Sequence, residues 1–248
     1  MHSPDTLAVS DGRVVIGDWS ADIGEVIAVS ARLRGLLREG RVTEAREMLN
    51  SMCREEQAAL VAVDADPEEI LSLTAMDEKG SPGYLAEVVD RLPSSLLAEL
   101  LVPRGAKWDR FNTGLLASMS ETTFRRTVAD TLDPVYFHGR RGAVSWEWLE
   151  IVAALQEVDR IASLLQAVDE EVLEDALIPH IDRFAMNETV FPGVSAFRTV
   201  SESGGGLMLP PLDAPEKEEV IHALHAAAPE LLARVIRNAW ERAGGMQP

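Results

Sequence analysis

Apolar residues recur at a spacing near 3.6 through most of the chain, with charged residues between them. The first clear stripe is Ile23, Val26, Ile27, Leu33, Leu36 and Leu37, with Arg32, Arg34, Arg38 and Glu39 largely off it. Ser20 reads as the N-cap of this helix and Gly40 as its stop. Thr43 reads as the cap of a second helix carrying Ala45, Met48, Leu49 and Met52, so the pair forms a helical hairpin. Asp66-Pro67-Glu68-Glu69 combines a capping side chain, a first-turn proline and acidic residues at the positive end of a helix. Ser81-Pro82 opens the next helix, through Leu85, Val88 and Val89, and Ser94 or Ser95 opens another through Leu101. Further helices are predicted over 109–118, 121–132, 145–156, 159–167, 170–182, 215–227 and 229–243.

Two stretches break this rhythm. Residues 7–16, LAVSDGRVVI, place an Asp-Gly turn between two short β-prone runs, which is a hairpin signal. Residues 189–209 hold β-formers and glycine-bearing turns without a helical stripe. A lone hairpin is marginal in water, so the two β segments are expected to pair with each other.

Part of the helical pattern repeats. At the constant offset of 49 that separates Leu115 from Leu164, Leu116 matches Leu165 and Met119 matches Val168. Ser120 matches Asp169, both N-cap types, and Phe124, Val128 and Leu132 match Leu173, Leu177 and Ile181. Asp133 matches Asp182. True duplication and generic patterning of helical hairpins both account for this match. Either predicts stacked antiparallel helices whose apolar faces are covered by the next pair. The predicted fold is therefore mainly α: a superhelical, armadillo-like array of short antiparallel helices (an α-solenoid) with a small β-hairpin element. Residues 1–19 form the hairpin-like segment, 20–186 the array, 187–212 a glycine-rich arm and 213–248 a C-terminal helical pair, in one continuous domain.

Composition narrows the function classes. With 23 basic and 41 acidic residues the net charge is −18 over 248 residues. That field repels a phosphate backbone, so nucleic acid and anionic membrane are poor partners. Weak divalent-cation binding fits the charge better. The single cysteine, Cys53, excludes an internal disulfide and reads as a small core or boundary residue. No apolar run approaches the roughly 20 residues of a membrane span, and MHSPDTLAVSDG lacks the features of a signal peptide. A reducing cytoplasm is the expected setting.

No catalytic constellation emerges. His222 and His225 lie three apart on a predicted helix, but a zinc site needs a third or fourth ligand, and no H-E-x-x-H is present. The acidic clusters Asp64, Asp66, Glu68, Glu69 and Asp169, Glu170, Glu171, Glu174, Asp175 read as caps and solvated helix faces, with loose Mg²⁺ or Ca²⁺ binding as the alternative. Gly204-Gly205-Gly206 lacks the form of a phosphate loop. No cofactor or metal is expected.

What stands out is DPVYFHGRRGAVSWEWL, residues 133–149, in a chain that is only 5% aromatic. An earlier stretch, PRGAKWDRF (103–111), has the same Arg-Gly then Trp order. Arginine and tryptophan are the types enriched where protein partners bind. Trp108, His138, Arg140, Arg141 and Trp148 are the candidate partner contacts. The competing reading is a connector closed by aromatics that pack between helices. Trp146 and Trp148 lie about 200° apart around a helix start, which predicts one indole inward and the other at least partly exposed.

Two resemblances follow from these residues. LREGRVTEAREMLNSM (37–52), EVVDRLPSSLLAELL (87–101) and LLQAVDEEVLEDAL (164–177) resemble the superhelical cytoplasmic N domain of magnesium transporters, in style and over roughly residues 30–182. The nucleotide-binding-like regulatory domains and membrane helices of that family are absent, so transport is not implied. LDPVYFHGRRGAVSWEWLEIVAAL (132–155) is similar to a segment of an uncharacterised family of bacterial helical proteins, through Asp133, Phe137, Trp148 and Leu149. That resemblance implies a helical fold and no chemistry. Together these readings predict a non-catalytic protein–protein interaction or scaffold module, with an acidic domain responding to divalent cations as the alternative.

Overall fold

The structure, a computed structural model, describes residues 7–74, 85–101, 110–130, 146–155, 157–181, 198–200, 207–209 and 216–243. It is mainly helical, with a small antiparallel sheet near the N-terminus. The chain divides into two compact units, Met1–Asp130 and Thr131–Pro248. The division falls within the span 20–186 that the sequence reads as one array.

The first unit opens with the Asp-Gly hairpin. Strands β1 (Ala8–Ser10) and β2 (Arg13–Ile16) pair in register Ser10↔Arg13. Asp11 and Gly12 both take positive φ, 52° and 74°, as the type I′ turn requires. A third strand, β3 (Trp19–Asp22), pairs with β2 through a second tight turn at Gly17-Asp18. Ser20 thus lies in a strand, and the cap of the following helix is Asp22. Its Oδ1 accepts from the amides of Gly24 at 2.8 Å and Glu25 at 3.4 Å. Helix α1 (Ile23–Arg38) buries Val26, Ser30 and Leu33, while Ile27, on the predicted stripe, is exposed. It ends at Gly40, where the Arg41 amide reaches the Leu36 carbonyl and the Gly40 amide reaches Leu37. This Schellman closure needs a left-handed residue, and Gly40 supplies φ of 73°.

Helix α2 (Val42–Asn50) begins one residue before the predicted cap Thr43. Arg41 is its N-cap and pairs with Glu39 and Glu44 on either side. Helices α3 (Arg54–Val63), α4 (Pro67–Thr74), α5 (Ala86–Val89), α6 (Ser94–Leu101), α7 (Arg110–Ser118) and α8 (Glu121–Asp130) complete the unit. The Asp66 cap forms as read, its carboxylate accepting from the Glu69 amide at 3.2 Å. The predicted start at Ser81-Pro82 lies outside the described residues; Leu85 is the N-cap of α5. Within this unit α1 packs on α3, α3 on α5 and α5 on α7, while α2 packs on α4 and α6 on α8. The core is aliphatic: Leu33, Leu49, Leu60, Ile70, Leu71, Leu92, Leu97, Leu101, Leu115 and Leu116 are all sealed from solvent. Each such side chain contributes roughly 1.5–3 kcal/mol relative to exposure.

The second unit holds α9 (Trp146–Ala153), α10 (Val158–Ala167), α11 (Glu170–Leu177) with a 3₁₀ turn at Ile178–His180, strands β4 (Arg198–Val200) and β5 (Leu207–Leu209), α12 (Glu216–Ala227) and α13 (Pro229–Arg242). β4 and β5 pair only with each other among the described residues, in register Thr199↔Met208. The expected pairing between the N-terminal hairpin and this segment is therefore replaced by two separate sheets. β3 gives the hairpin the third strand it needed.

The offset of 49 survives as local structure. Helices α7 and α10 end at Ser118 and Ala167, and α8 and α11 begin at Glu121 and Glu170. The matched positions Leu115/Leu164, Leu116/Leu165, Met119/Val168, Phe124/Leu173 and Val128/Leu177 are buried in both segments.

Candidate functional site

Among the candidate contacts, Trp108, His138, Arg140 and Arg141 lie outside the described residues. Trp148 is described, and it is buried with 3% of its surface exposed. Trp146 is buried as well, so the prediction of one inward and one exposed indole is corrected. The reason is that α9 packs on α10, α11 and α12, which cover both sides of the helix. Trp146 donates from Nε1 to Glu150 at 2.8 Å and meets the His180 ring edge-on at 5.0 Å. Lys217 lies 5.3 Å from the Trp146 ring centre and bonds His180 Nδ1 at 2.5 Å. Both indoles serve packing in the second unit, and Trp148 presents no exposed face to a partner.

Several carboxylates of the acidic clusters are engaged by cations and amides. Asp64 accepts from Arg34, Ser30 and the Asp66 amide. Glu170 pairs with Arg234, Glu174 with Asn238 and Arg242, and Asp175 with Arg242. Among the described residues no group of three or more His, Cys, Asp and Glu side chains is placed to hold a metal ion. His225 titrates below the usual histidine range because it is partly buried and faces the charge of His222.

Among the described residues of the first unit, one concave feature is built around Trp19. The Gly17-Asp18 turn starts β3 at Trp19, and the two-residue period of the strand puts Trp19 and Ala21 on one face. That face meets Glu25, Val26 and Val29 from α1 and Met52, Glu56 and Leu60 from the approach to α3 and α3 itself. Glu25/Val29 and Glu56/Leu60 are each four apart, one helical turn, so both helices offer one acid above one apolar residue. The space enclosed is about 160 Å³. A second hollow of about 310 Å³, which Trp19 also lines, is formed with Ile16, Gly17, Asp18, Glu55 and Arg91. Glu55 and Arg91 are paired there at 2.9 Å. The Glu55 carboxyl is held below the usual range, first by its own backbone amide and then by Arg91. The Arg91 carbonyl also takes the Leu7 amide at 3.0 Å, which ties the start of β1 to this corner.

Trp19 is half-buried and lines both the apolar hollow and the ionic one. Asp18 and Glu25 stand exposed at the rim, and Glu56 accepts from the Cys53 amide at 3.0 Å. Cys53 is itself exposed at the N-cap of α3, which corrects the core half of its reading as a core or boundary residue. Partial burial of the sulfur, with Glu55 and Glu56 nearby, pushes its thiol pKa up.

Sequence reasoning missed this site because placing the helix cap at Ser20 leaves no strand at Trp19. The available signal was Ile16-Gly17-Asp18-Trp19, a second two-residue glycine turn between β-formers. Among the described residues no helix is long and apolar enough to cross a membrane. No family model, no curated protein and no solved structure matches the chain.

Proposed function

We propose that this chain is a non-catalytic protein–protein interaction module built on an array of short helices, with a protein partner in a cytoplasmic setting. The helix order supports the array reading: in the first unit helices rest on their next-but-one neighbours, as stacked hairpins do. The observation that carries the functional reading is the divided groove at Trp19. Small-molecule sites usually enclose about 300–1,000 Å³. One hollow, at about 160 Å³, is well below that range and the other, at about 310 Å³, is at its floor. Spaces of that size suit single side chains of a partner protein better than a cofactor. A half-buried tryptophan shared by both is the residue type that anchors such contacts.

The test is quantitative recovery of partners from a lysate of the source cells by tagged wild-type and Trp19→Ala proteins. A specific protein held by the wild type and lost with the variant is the expected result. A recovery profile that Trp19→Ala leaves unchanged, with the variant still folded by circular dichroism, removes the groove as the contact surface.

A further inference from the structure

The charge around Trp19 says what kind of segment the groove takes. The apolar hollow carries two carboxylates in its lining, Glu25 and Glu56, and no basic residue. The ionic hollow adds Asp18 and Glu55, of which Glu55 is paired with Arg91. Asp18 and Glu25 thus stand exposed beside an apolar lining of Ala21, Val26, Val29, Met52 and Leu60, and Glu56, which accepts the Cys53 amide, adds a third carboxylate. At physiological salt charges are screened beyond roughly 8 Å. Recognition at this spot therefore depends on these carboxylates rather than on the net charge of the whole chain.

Resting on the interaction reading above, we infer that the groove binds a basic segment of a partner protein that presents one aliphatic or aromatic side chain flanked by lysines or arginines. The apolar side chain fills the 160 Å³ hollow against Trp19. The flanking cations face Glu25, Glu56 and Asp18. An acidic or neutral segment of the same shape gains the apolar contact and loses the complementary charge. Bases or phosphates of a nucleic acid meet carboxylates at the rim and are disfavoured.

Cys53 makes the inference directly measurable. It is the only cysteine, it is exposed, it adjoins Met52, and its amide donates to the Glu56 carboxylate; Met52 and Glu56 both belong to the lining. An environment-sensitive dye on Cys53 reports titration with a short peptide of lysines around a central leucine. The comparison peptides carry glutamates for the lysines, or serine for the leucine. The lysine–leucine peptide is expected to bind at least about tenfold more tightly than either. Glu25→Lys is expected to weaken it about fivefold or more, while Glu47→Lys, the same charge change on the exposed face of α2, changes it less than about twofold.

Equal binding of the three peptides, no binding, or equal weakening by the two charge variants overturns the inference. These outcomes separate from failure of the broader reading. If Trp19→Ala still abolishes partner recovery while the lysine–leucine preference is absent, only the chemistry assigned to the occupant falls. If Trp19→Ala changes nothing in the lysate and the peptide does not bind, both fall.

Discussion

Arg34 of α1 reaches across to Asp64 at the end of α3, with Nε donating to Oδ1 at 2.7 Å. The Asp64 side chain is fully shielded from solvent, whereas Arg34 keeps a quarter of its surface exposed. Asp64 also accepts from the Ser30 hydroxyl and from the Asp66 amide at 2.8 Å. One carboxylate thereby joins α1, α3 and the turn into α4, and α1 and α3 both contribute side chains to the Trp19 groove. Removing it leaves Ser30 and the Asp66 amide without an acceptor in a buried place. Asp64→Ala is expected to destabilise the first unit by about 2–3 kcal/mol, and Ser30→Ala by about 1 kcal/mol. Urea unfolding of the full chain measures both. Equal, negligible effects would show that the network is not structural.

The same carboxylate sets an acid limit on stability. Burial pushes the Asp64 pKa up, but hydrogen bonds from Arg34, Ser30 and the Asp66 amide outweigh it and hold the group below its ordinary value. A depressed folded-state pKa contributes stability that is complete above the unfolded value, near 3.9. It is lost as pH falls through the lower folded value. The wild type is expected to lose stability steeply below about pH 4. Asp64→Asn is expected to lose it less steeply over that window. Unfolding midpoints from pH 7 to pH 2.5 give the comparison, and parallel curves would contradict the assignment.

The end of α1 gives a backbone test. Gly40 has open space around the position of a Cβ, so the cost of adding one comes from its positive φ alone. Gly40→Ala is expected to cost about 1 kcal/mol and lower Tm by a few degrees. Gly35, inside the same helix and equally open, has ordinary helical geometry. Gly35→Ala is expected to stabilise by about 0.5–1 kcal/mol. Calorimetry on the pair checks the opposite signs.

In the second unit α11 and α13 share a ladder of polar contacts whose rungs differ in depth. Glu174 is buried and accepts from Asn238 at 2.8 Å and from Arg242 at 2.7 Å. Arg234 and Glu170 meet at 2.7 Å on the surface. Glu174→Ala removes a buried acceptor that Asn238 and Arg242 share, while Arg242 keeps Asp175, and is expected to cost about 1–2 kcal/mol. Arg234→Ala, in water at high dielectric, is expected to leave the melting temperature unchanged within error. Equal losses would mean that depth does not decide the energetics of this face.

How much of this was legible in the sequence depended on how local the determining physics is. The Asp11-Gly12 turn, the Asp66-Pro67 helix start and the boundaries at Glu121 and Glu170 are written in two to four adjacent residues, and they form as read. β3 was missed because Ser20 and Asp22 are both good caps, and only pairing with β2 decides that the strand runs on to Asp22. The tryptophans of α9 were misjudged because a helix wheel shows directions and not neighbours. Packing by α10, α11 and α12 covers both sides. The groove was illegible for the same reason: Trp19, Glu25, Met52 and Leu60 are brought together only by the fold.

The central claim, that a partner protein docks at Trp19, is tested most directly by photo-crosslinking from Cys53 in a lysate of the source cells. The benzophenone reagent is placed on Cys53, or on Glu47→Cys in a Cys53→Ser background, where the exposed face of α2 serves as control. The expected result is a defined crosslinked protein from Cys53 that is absent from the control site and lost when Trp19→Ala is added. Crosslinks of equal pattern from both sites, or a Cys53 crosslink that Trp19→Ala leaves intact, would contradict it.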